Sequence, residues 1–132
     1  MTQGSCLCGA VRFRVAAFSS AIYKCHCSKC RKAFGGAASA AAFAGEGNFA
    51  WLAGSDAVRE YRTDSGFQRC FCPQCGCILP QFLGEHRMYW VPVGLLDSEP
   101  GIPLKQHIHV SSKAQWDILD TETRHHPEGF GS

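Results

Sequence analysis

Cysteines constrain this chain more than any other residue type. The 132 residues include nine cysteines, and eight of them fall into three short groups: Cys6 and Cys8; Cys25, Cys27 and Cys30; and Cys72, Cys75 and Cys77. Thiolates separated by one or two residues are typical metal ligands. A chain whose cysteines converge on metal ions must fold around those ions, so the groups indicate architecture as well as chemistry.

The alternative to metal binding is a set of disulfides. The first residues are polar and unlike a secretory signal, and no stretch is long and apolar enough to span a bilayer. We therefore expect a soluble, cytoplasmic protein without a membrane partner. Clustered cysteines in a reducing compartment are more typical of metal sites than of disulfides. Full pairing would also leave one of the nine cysteines over.

The first and third groups predict one zinc site. Side chains two residues apart on an extended chain lie on the same face, so Cys6 and Cys8 form a chelating pair. The turn between Cys72 and Cys75 brings two more thiolates together, and Gly76 permits the backbone conformation that follows. Four cysteines close a tetrahedral site, which predicts a structural role. Buried free cysteines are the alternative interpretation.

The middle group predicts a second zinc site of a different kind. Cys25, Cys27 and Cys30 place three sulfurs around one centre and leave a fourth position for water or substrate, which is typical of catalytic zinc. Since three thiolates weaken the ion as a Lewis acid, activation of a bound thiol is favoured over activation of water. A second structural zinc, completed by Cys70, Cys77 or a histidine, remains the alternative.

Basic residues lie beside the middle group. Lys29, Arg31 and Lys32 could hold a carboxylate of an anionic ligand, or could form an ordinary solvated face. Over the whole chain, 13 Lys and Arg oppose 11 Asp and Glu, for a net charge of +2, and the basic residues are dispersed. A nucleic-acid partner is therefore not expected. The sequence leaves the oligomeric state open.

The remaining pattern predicts a mainly β domain of short antiparallel strands with little helix. Val11, Phe13 and Val15 alternate with polar or small residues, and strand-like runs recur at residues 21–25, 49–52, 58–61, 67–71, 78–83, 88–93 and 106–110. Short helices are expected after Ser28 and after residues 111–112, whereas residues 37–44 suit either helix or strand. We expect one domain over residues 1–120 and a C-terminal extension over residues 121–132.

Three histidines lie in or near these motifs. His26 should point away from Cys25 and Cys27, because neighbours on a strand face opposite sides. His107 and His109 should share one strand face and so could form a metal-binding pair, although an ordinary surface or half-buried role is the more common one for such histidines.

The motifs together resemble a known family. They are GSCLCGAVR at residues 4–12, CHCSKCR at 25–31, FCPQCG at 71–76 and HIHVSSKAQW at 107–116. In this order they are similar to the motifs of the glutathione-dependent formaldehyde-activating enzyme and centromere protein V family. The resemblance implies a zinc-stabilised fold of the β-tent type, with Cys6, Cys8, Cys72 and Cys75 on a structural ion and Cys25, Cys27 and Cys30 on a second.

The resemblance also implies an activity. Members of the family are associated with a carbon–sulfur lyase reaction in which glutathione adds to formaldehyde to give S-hydroxymethylglutathione. The leading hypothesis is thus an enzyme that adds a small thiol to an aldehyde or reverses that addition. The rival hypothesis is a non-catalytic zinc module, acting as a protein-binding adaptor or as a metal or redox sensor.

Overall fold

The structure, a computed structural model, describes residues 1–132 as twelve short strands and one α-helix. The strands are β1 (Thr2–Ser5), β2 (Arg12–Val15), β3 (Ile22–Cys25), β4 (Ser39–Gly45), β5 (Phe49–Ala53), β6 (Arg59–Arg62), β7 (Gln68–Phe71), β8 (Ile78–Leu79), β9 (Gln81–Leu83), β10 (Met88–Pro92), β11 (Leu104–Ile108) and β12 (Arg124–His125), and the helix is α1 (Ser28–Phe34). The prediction of a mainly β chain with little helix is confirmed.

The strands form three sheets. The largest has the order β12-β11-β3-β4-β10-β9, and two three-stranded sheets have the orders β1-β2-β5 and β6-β7-β8. The expectation of antiparallel strands alone was wrong, because β11 runs parallel to both β3 and β12. The connection over residues 93–103 returns the chain to the edge where β3 begins, so that Pro103 accepts a hydrogen bond from Ile22. Such a long connection is what parallel pairing requires.

Residues 37–44, which the sequence left open between helix and strand, contribute most of β4. This strand lies between β3 and β10, and Ala41, Ala42 and Ala44 are fully buried. Alanine favours helix in isolation, but pairing on both edges and burial of small side chains outweigh that preference. The strand register sets Ser39 opposite Cys25, which places the start of β4 beside the middle cysteine group.

The helix α1 begins immediately after the second cysteine of that group. Cys27, rather than the expected Ser28, is its N-cap, and the Cys27 sulfur accepts the backbone N–H of Cys30 at 3.3 Å. The helix ends at Phe34 and is capped by Gly35, which has a left-handed backbone. The second expected helix, after residues 111–112, is absent, and a 3-10 turn at Val110–Ser112 precedes its expected position. No helix in the molecule has both the length and the apolar character needed to cross a membrane.

Residues 121–132 lie against the large sheet. The strand β12 adds to its edge beside β11, and the backbone N–H of His126 donates to the carbonyl of His107 at 2.9 Å. Further along, the ring of Phe130 meets Tyr23 edge-on, with centroids 4.9 Å apart. The last residues therefore contribute both hydrogen bonds and apolar contacts to the sheet that carries the middle cysteine group.

Candidate metal centres and the adjoining pocket

Four cysteines from two distant segments meet in one cluster. The sulfur atoms of Cys6, Cys8, Cys72 and Cys75 all lie within 4.8 Å of one another. The sulfur of Cys8 is 3.6 Å from that of Cys6 and 3.8 Å from that of Cys72. At zinc–sulfur distances of about 2.3 Å, the sulfurs of a tetrahedral site lie roughly 3.8 Å apart. The cluster therefore fits a metal ion of that size.

The two halves of this cluster are built alike. In each half a glycine with a left-handed backbone follows the second cysteine: Gly9 has φ 79° and Gly76 has φ 78°. The N–H of Gly9 donates to the carbonyl of Cys6, and that of Gly76 to the carbonyl of Cys72. These tight turns aim both sulfurs of each pair at the same point. Any other residue would be strained at that backbone angle.

Backbone N–H groups surround the cluster and favour ionised sulfur. Those of Cys77 and Cys8 point at the Cys75 sulfur and lower its pKa to about 6. The N–H of Val11 donates to the Cys6 sulfur at 3.4 Å. Ionised sulfur is the form that binds metal, so these donors prepare the cluster for a cation.

Cys77 and Cys70 lie on this side of the molecule. The Cys77 sulfur accepts the N–H of Leu7 at 3.1 Å, which ties the two cysteine turns together. Cys70 is buried in a cluster of apolar contacts with Cys6, Val11 and Leu79, and burial raises its pKa. Neither belongs to the middle group, whose three sulfurs have no fourth Cys, His, Asp or Glu ligand atom with them.

The middle group forms a second, smaller cluster. The sulfurs of Cys25, Cys27 and Cys30 lie within 4.8 Å of one another, at the junction of β3 and α1. Cys25 and Cys30 are buried, whereas Cys27 is partly exposed. A hydrogen bond between Cys25 and Cys30 lowers the pKa of Cys30 to about 5 and raises that of Cys25. The ionised form is thus favoured at Cys30, and the three sulfurs can hold a metal ion.

A pocket of about 300 Å³ opens over the three sulfurs. Arg69, from β7, lies across it: its Nη2 donates to the Cys30 sulfur at 3.2 Å. The guanidinium carbon is 4.1 Å from the ring centroid of Phe67 and 4.4 Å from that of Trp90. Stacking between two aromatic rings fixes the orientation of the cation above the cluster.

The pocket wall also carries polar atoms without partners. Ser39 is 1% exposed, yet its hydroxyl has no hydrogen-bond partner, and neither has Oε1 of Gln81 or Nε of Arg69. Buried polar groups are normally paired, so unpaired ones beside a pocket indicate atoms available to a ligand. Sequence reasoning missed all three residues, because they lie far apart in the chain and belong to no motif.

The predicted basic residues occupy different positions around this region. Lys29 and Lys32 line a neighbouring cavity of about 360 Å³, which shares Phe67 and Arg69 with the cysteine pocket. Arg31 instead donates through Nη1 to the backbone carbonyl of Ser112 at 3.1 Å. The two lysines are therefore placed near the cysteine pocket, while Arg31 also braces α1 against the loop after β11.

His26 lies outside the middle cysteine group, as predicted, whereas the expectation for His107 and His109 was not met. His26 is completely buried, and its Nε2 lies 2.8 Å from Nδ1 of His107. The expected pairing of His107 with His109 on one strand face was wrong. The strand β11 ends at Ile108, and His109 has a left-handed backbone with φ 56°, which turns it toward Glu128.

Comparisons with known proteins show the family of this chain. The family model of the glutathione-dependent formaldehyde-activating enzyme matches residues 1–112. The chain belongs to this family. A Halomonas elongata protein named "Putative glutathione-dependent formaldehyde-activating enzyme" is 30% identical, over 98% of this chain and 87% of its own length. All three cysteine groups lie within the matched residues, and the resemblance stated from the motifs is confirmed.

A solved structure supports the fold alone. A crystal structure of a Rhodobacter sphaeroides protein superposes with a TM-score of 0.60 and 24% sequence identity, over 78% of this chain and 99% of that one. Its whole length thus corresponds to most of the β architecture described above.

Proposed function

We propose that this protein is a zinc-dependent enzyme of the carbon–sulfur lyase type that adds glutathione, or a similar small thiol, to formaldehyde or a related aldehyde. In the addition, the thiol sulfur bonds to the carbonyl carbon and the carbonyl oxygen takes a proton, which gives a hydroxymethyl thioether. The reverse reaction breaks the same bond. The observation that carries the proposal is the three-sulfur cluster at the base of a pocket with an aromatic-stacked arginine.

In this proposal Cys25, Cys27 and Cys30 hold the catalytic zinc. A zinc ion with three protein ligands keeps one position for a substrate thiol and favours its ionised form. Cys6, Cys8, Cys72 and Cys75 would hold a second, structural zinc in a fold of the β-tent type. Thiolate sites of this kind require a reducing compartment, and the cytoplasm is the expected one.

Residues of the pocket would position the substrates. Arg69 lies over the sulfurs at a fixed orientation, so its charge offsets the anionic cluster and stabilises negative charge that develops on the aldehyde oxygen. The Ser39 hydroxyl and Gln81 Oε1, which lack partners, are available to the hydroxymethyl group or the peptide of glutathione. Lys29 and Lys32, in the neighbouring cavity, would bind its carboxylates.

The proposal is tested by exchange spectroscopy with formaldehyde and glutathione, because this addition also proceeds without an enzyme. The wild-type protein should raise the exchange rate above the background, and Cys27→Ser should return it to background. Serine can still cap α1 through its oxygen, so the variant should stay folded. Cys77→Ser is the matched control and should keep the activity. Equal exchange rates with and without wild-type protein would refute the proposed enzymatic activity.

Cobalt substitution distinguishes the proposed enzyme from the competing hypothesis of a non-catalytic module. If the three-cysteine site is open, glutathione should shift the sulfur-to-cobalt charge-transfer bands of cobalt-substituted protein. In Cys27→Ser that response should be lost. An unchanged spectrum at saturating thiol would favour an adaptor or a sensor with closed metal sites.

A further inference from the structure

A third group of ligand-type side chains lies away from both cysteine clusters. His107 of β11, Asp120 and His125 of β12 each offer one ligand atom, and these atoms lie within 4.8 Å of one another. Ile108 lines the cysteine pocket, so its neighbour His107 points to the opposite face of the sheet. The parallel register pairs His107 with His125, and the two rings are perpendicular with centroids 5.3 Å apart.

The ligand atoms of this group are free to bind. The side chain of His107 is 3% exposed, and its Nε2 has no hydrogen-bond partner although Asp120 Oδ2 lies 3.6 Å away. Asp120 is held by its other oxygen: Oδ1 accepts the N–H groups of Glu122 and Thr123 and the Thr123 hydroxyl at 2.6–3.0 Å. A buried unpaired nitrogen therefore faces a fixed carboxylate oxygen.

The other ring nitrogen of His107 contacts a second buried histidine. Nδ1 of His107 is 2.8 Å from Nε2 of His26, whose Nδ1 lies 3.6 Å from Oδ2 of Asp117. Nδ1 of His26, like Nε2 of His107, has no hydrogen-bond partner. The bond between the two rings therefore orients the His107 imidazole.

A cation would satisfy the unpaired Nε2 of His107. Its place is beside Asp120 and His125, which offer two further ligand atoms there. With a cation on Nε2, His107 carries its proton on Nδ1 and donates it to Nε2 of His26. Metal-binding histidines are commonly oriented by such a hydrogen bond on the second ring nitrogen.

We propose that His107, Asp120 and His125 form a binding site for a divalent first-row transition-metal ion. Two imidazoles and one carboxylate suit Zn²⁺, Co²⁺, Ni²⁺ or Fe²⁺, and the exposure of Asp120 and His125 leaves the remaining positions to water. At bond lengths of about 2.0–2.2 Å the ligand atoms of such a site lie roughly 3–3.5 Å apart, so small side-chain rotations complete it. The ion would fasten β12 to β11. The site goes beyond the proposed reaction, since none of its residues lines the cysteine pocket.

The test uses whole protein whose cysteine clusters have been filled with zinc. Thiolate sites retain zinc against cobalt, so Co²⁺ titrated into this protein should occupy a site with nitrogen and oxygen ligands. We expect one equivalent per chain, with weak visible ligand-field bands and no sulfur-to-cobalt charge transfer. His125→Ala should weaken the binding at least tenfold, and so should Asp120→Asn, which keeps the oxygen that caps the loop.

His86→Ala is the matched control, because His86 is exposed and lies in the turn after β9. Its cobalt affinity should equal that of the wild-type protein. Two results would each overturn the proposal: absence of cobalt uptake, or cobalt uptake by both ligand variants that is as tight as uptake by the wild-type protein. Because activity is not the readout, failure here leaves the proposed reaction unaffected.

Discussion

The two cysteine clusters use the same ligand atom in different settings. The four-cysteine cluster joins segments 64 residues apart, through the contact of Cys8 with Cys72, and its sulfurs face one another. The three-cysteine cluster comes from a single run of six residues, which β3 and α1 already hold in place. A metal in the first would cross-link the chain, whereas a metal in the second would add little connectivity and faces a pocket. The same chemistry can therefore serve folding in one place and reactivity in the other.

The largest expected effect is the loss of the cross-link. Cys72→Ser should abolish the tetrahedral ligand set and lower the free energy of unfolding by about 4 kcal/mol or more, the range reached when a structural metal is lost. Denaturant titration monitored by circular dichroism measures this change. Cys77→Ser is the control: serine can still accept the Leu7 N–H, so we expect a change within about 1 kcal/mol. Equal destabilisation by both variants would contradict the assignment of Cys72 as a metal ligand and Cys77 as a residue beside the site.

The two clusters should also differ in how readily a chelator removes their metal. A chelator should take the ion from the three-cysteine cluster first, because that cluster has only three protein ligands and opens to a pocket. One of two zinc equivalents should leave, the activity should fall to background and the far-ultraviolet spectrum should stay unchanged. Metal analysis alongside circular dichroism provides the measurement. Simultaneous loss of both ions and of the fold would mean that the clusters are equally structural.

The difference between the clusters also shows what a sequence can predict. Spacing within Cys6 to Cys8 and within Cys72 to Cys75 indicated chelating pairs because the backbone alone sets such distances. The open character of the middle group was likewise a local property, and the structure groups the same seven cysteines four and three. Whether zinc occupies both clusters stays a prediction, as do the roles of Lys29, Arg31 and Lys32 and the boundary at residue 120.

What the sequence did not reveal depends on long-range pairing. Arg69 and Ser39 reach the middle group only because β7 and β4 fold onto it, and neither lies in a recognisable motif. The shared strand face expected for His107 and His109 was wrong, because β11 ends at Ile108. That end is set by the chain after it, where Val110 donates to the His126 carbonyl. Residues 37–44 were ambiguous for the same reason, since two partner strands decide between helix and sheet.

The arginine above the pocket should matter for reactivity but not for folding. Arg69→Lys keeps the positive charge but loses the planar group between Phe67 and Trp90. We expect kcat/KM for the thiol and formaldehyde to fall about tenfold, or roughly 1.4 kcal/mol, of the size of one cation–π contact with its hydrogen bond. Arg59→Lys on exposed β6 should leave kcat/KM unchanged. Equal values for wild type and Arg69→Lys would show that the charge alone suffices.

The smallest effect should come from removing the hydroxyl of Ser39. The informative part of this effect is the sign of the change in the free energy of unfolding. Burying a hydroxyl without a hydrogen-bond partner is unfavourable, because the group loses its hydrogen bonds to water. Ser39→Ala should therefore keep or raise the free energy of unfolding, within about 1 kcal/mol. The substrate affinity should nevertheless fall, because the pocket loses an available donor.

Ser20→Ala is the matched contrast: the Ser20 oxygen accepts the Phe43 N–H at 2.9 Å, so its removal should destabilise the protein by about 1 kcal/mol. Denaturant titration of the two variants, with KM for the thiol, decides the matter. A Ser39→Ala variant that is destabilised like Ser20→Ala, with an unchanged KM, would mean that the hydroxyl supports the sheet and not the ligand.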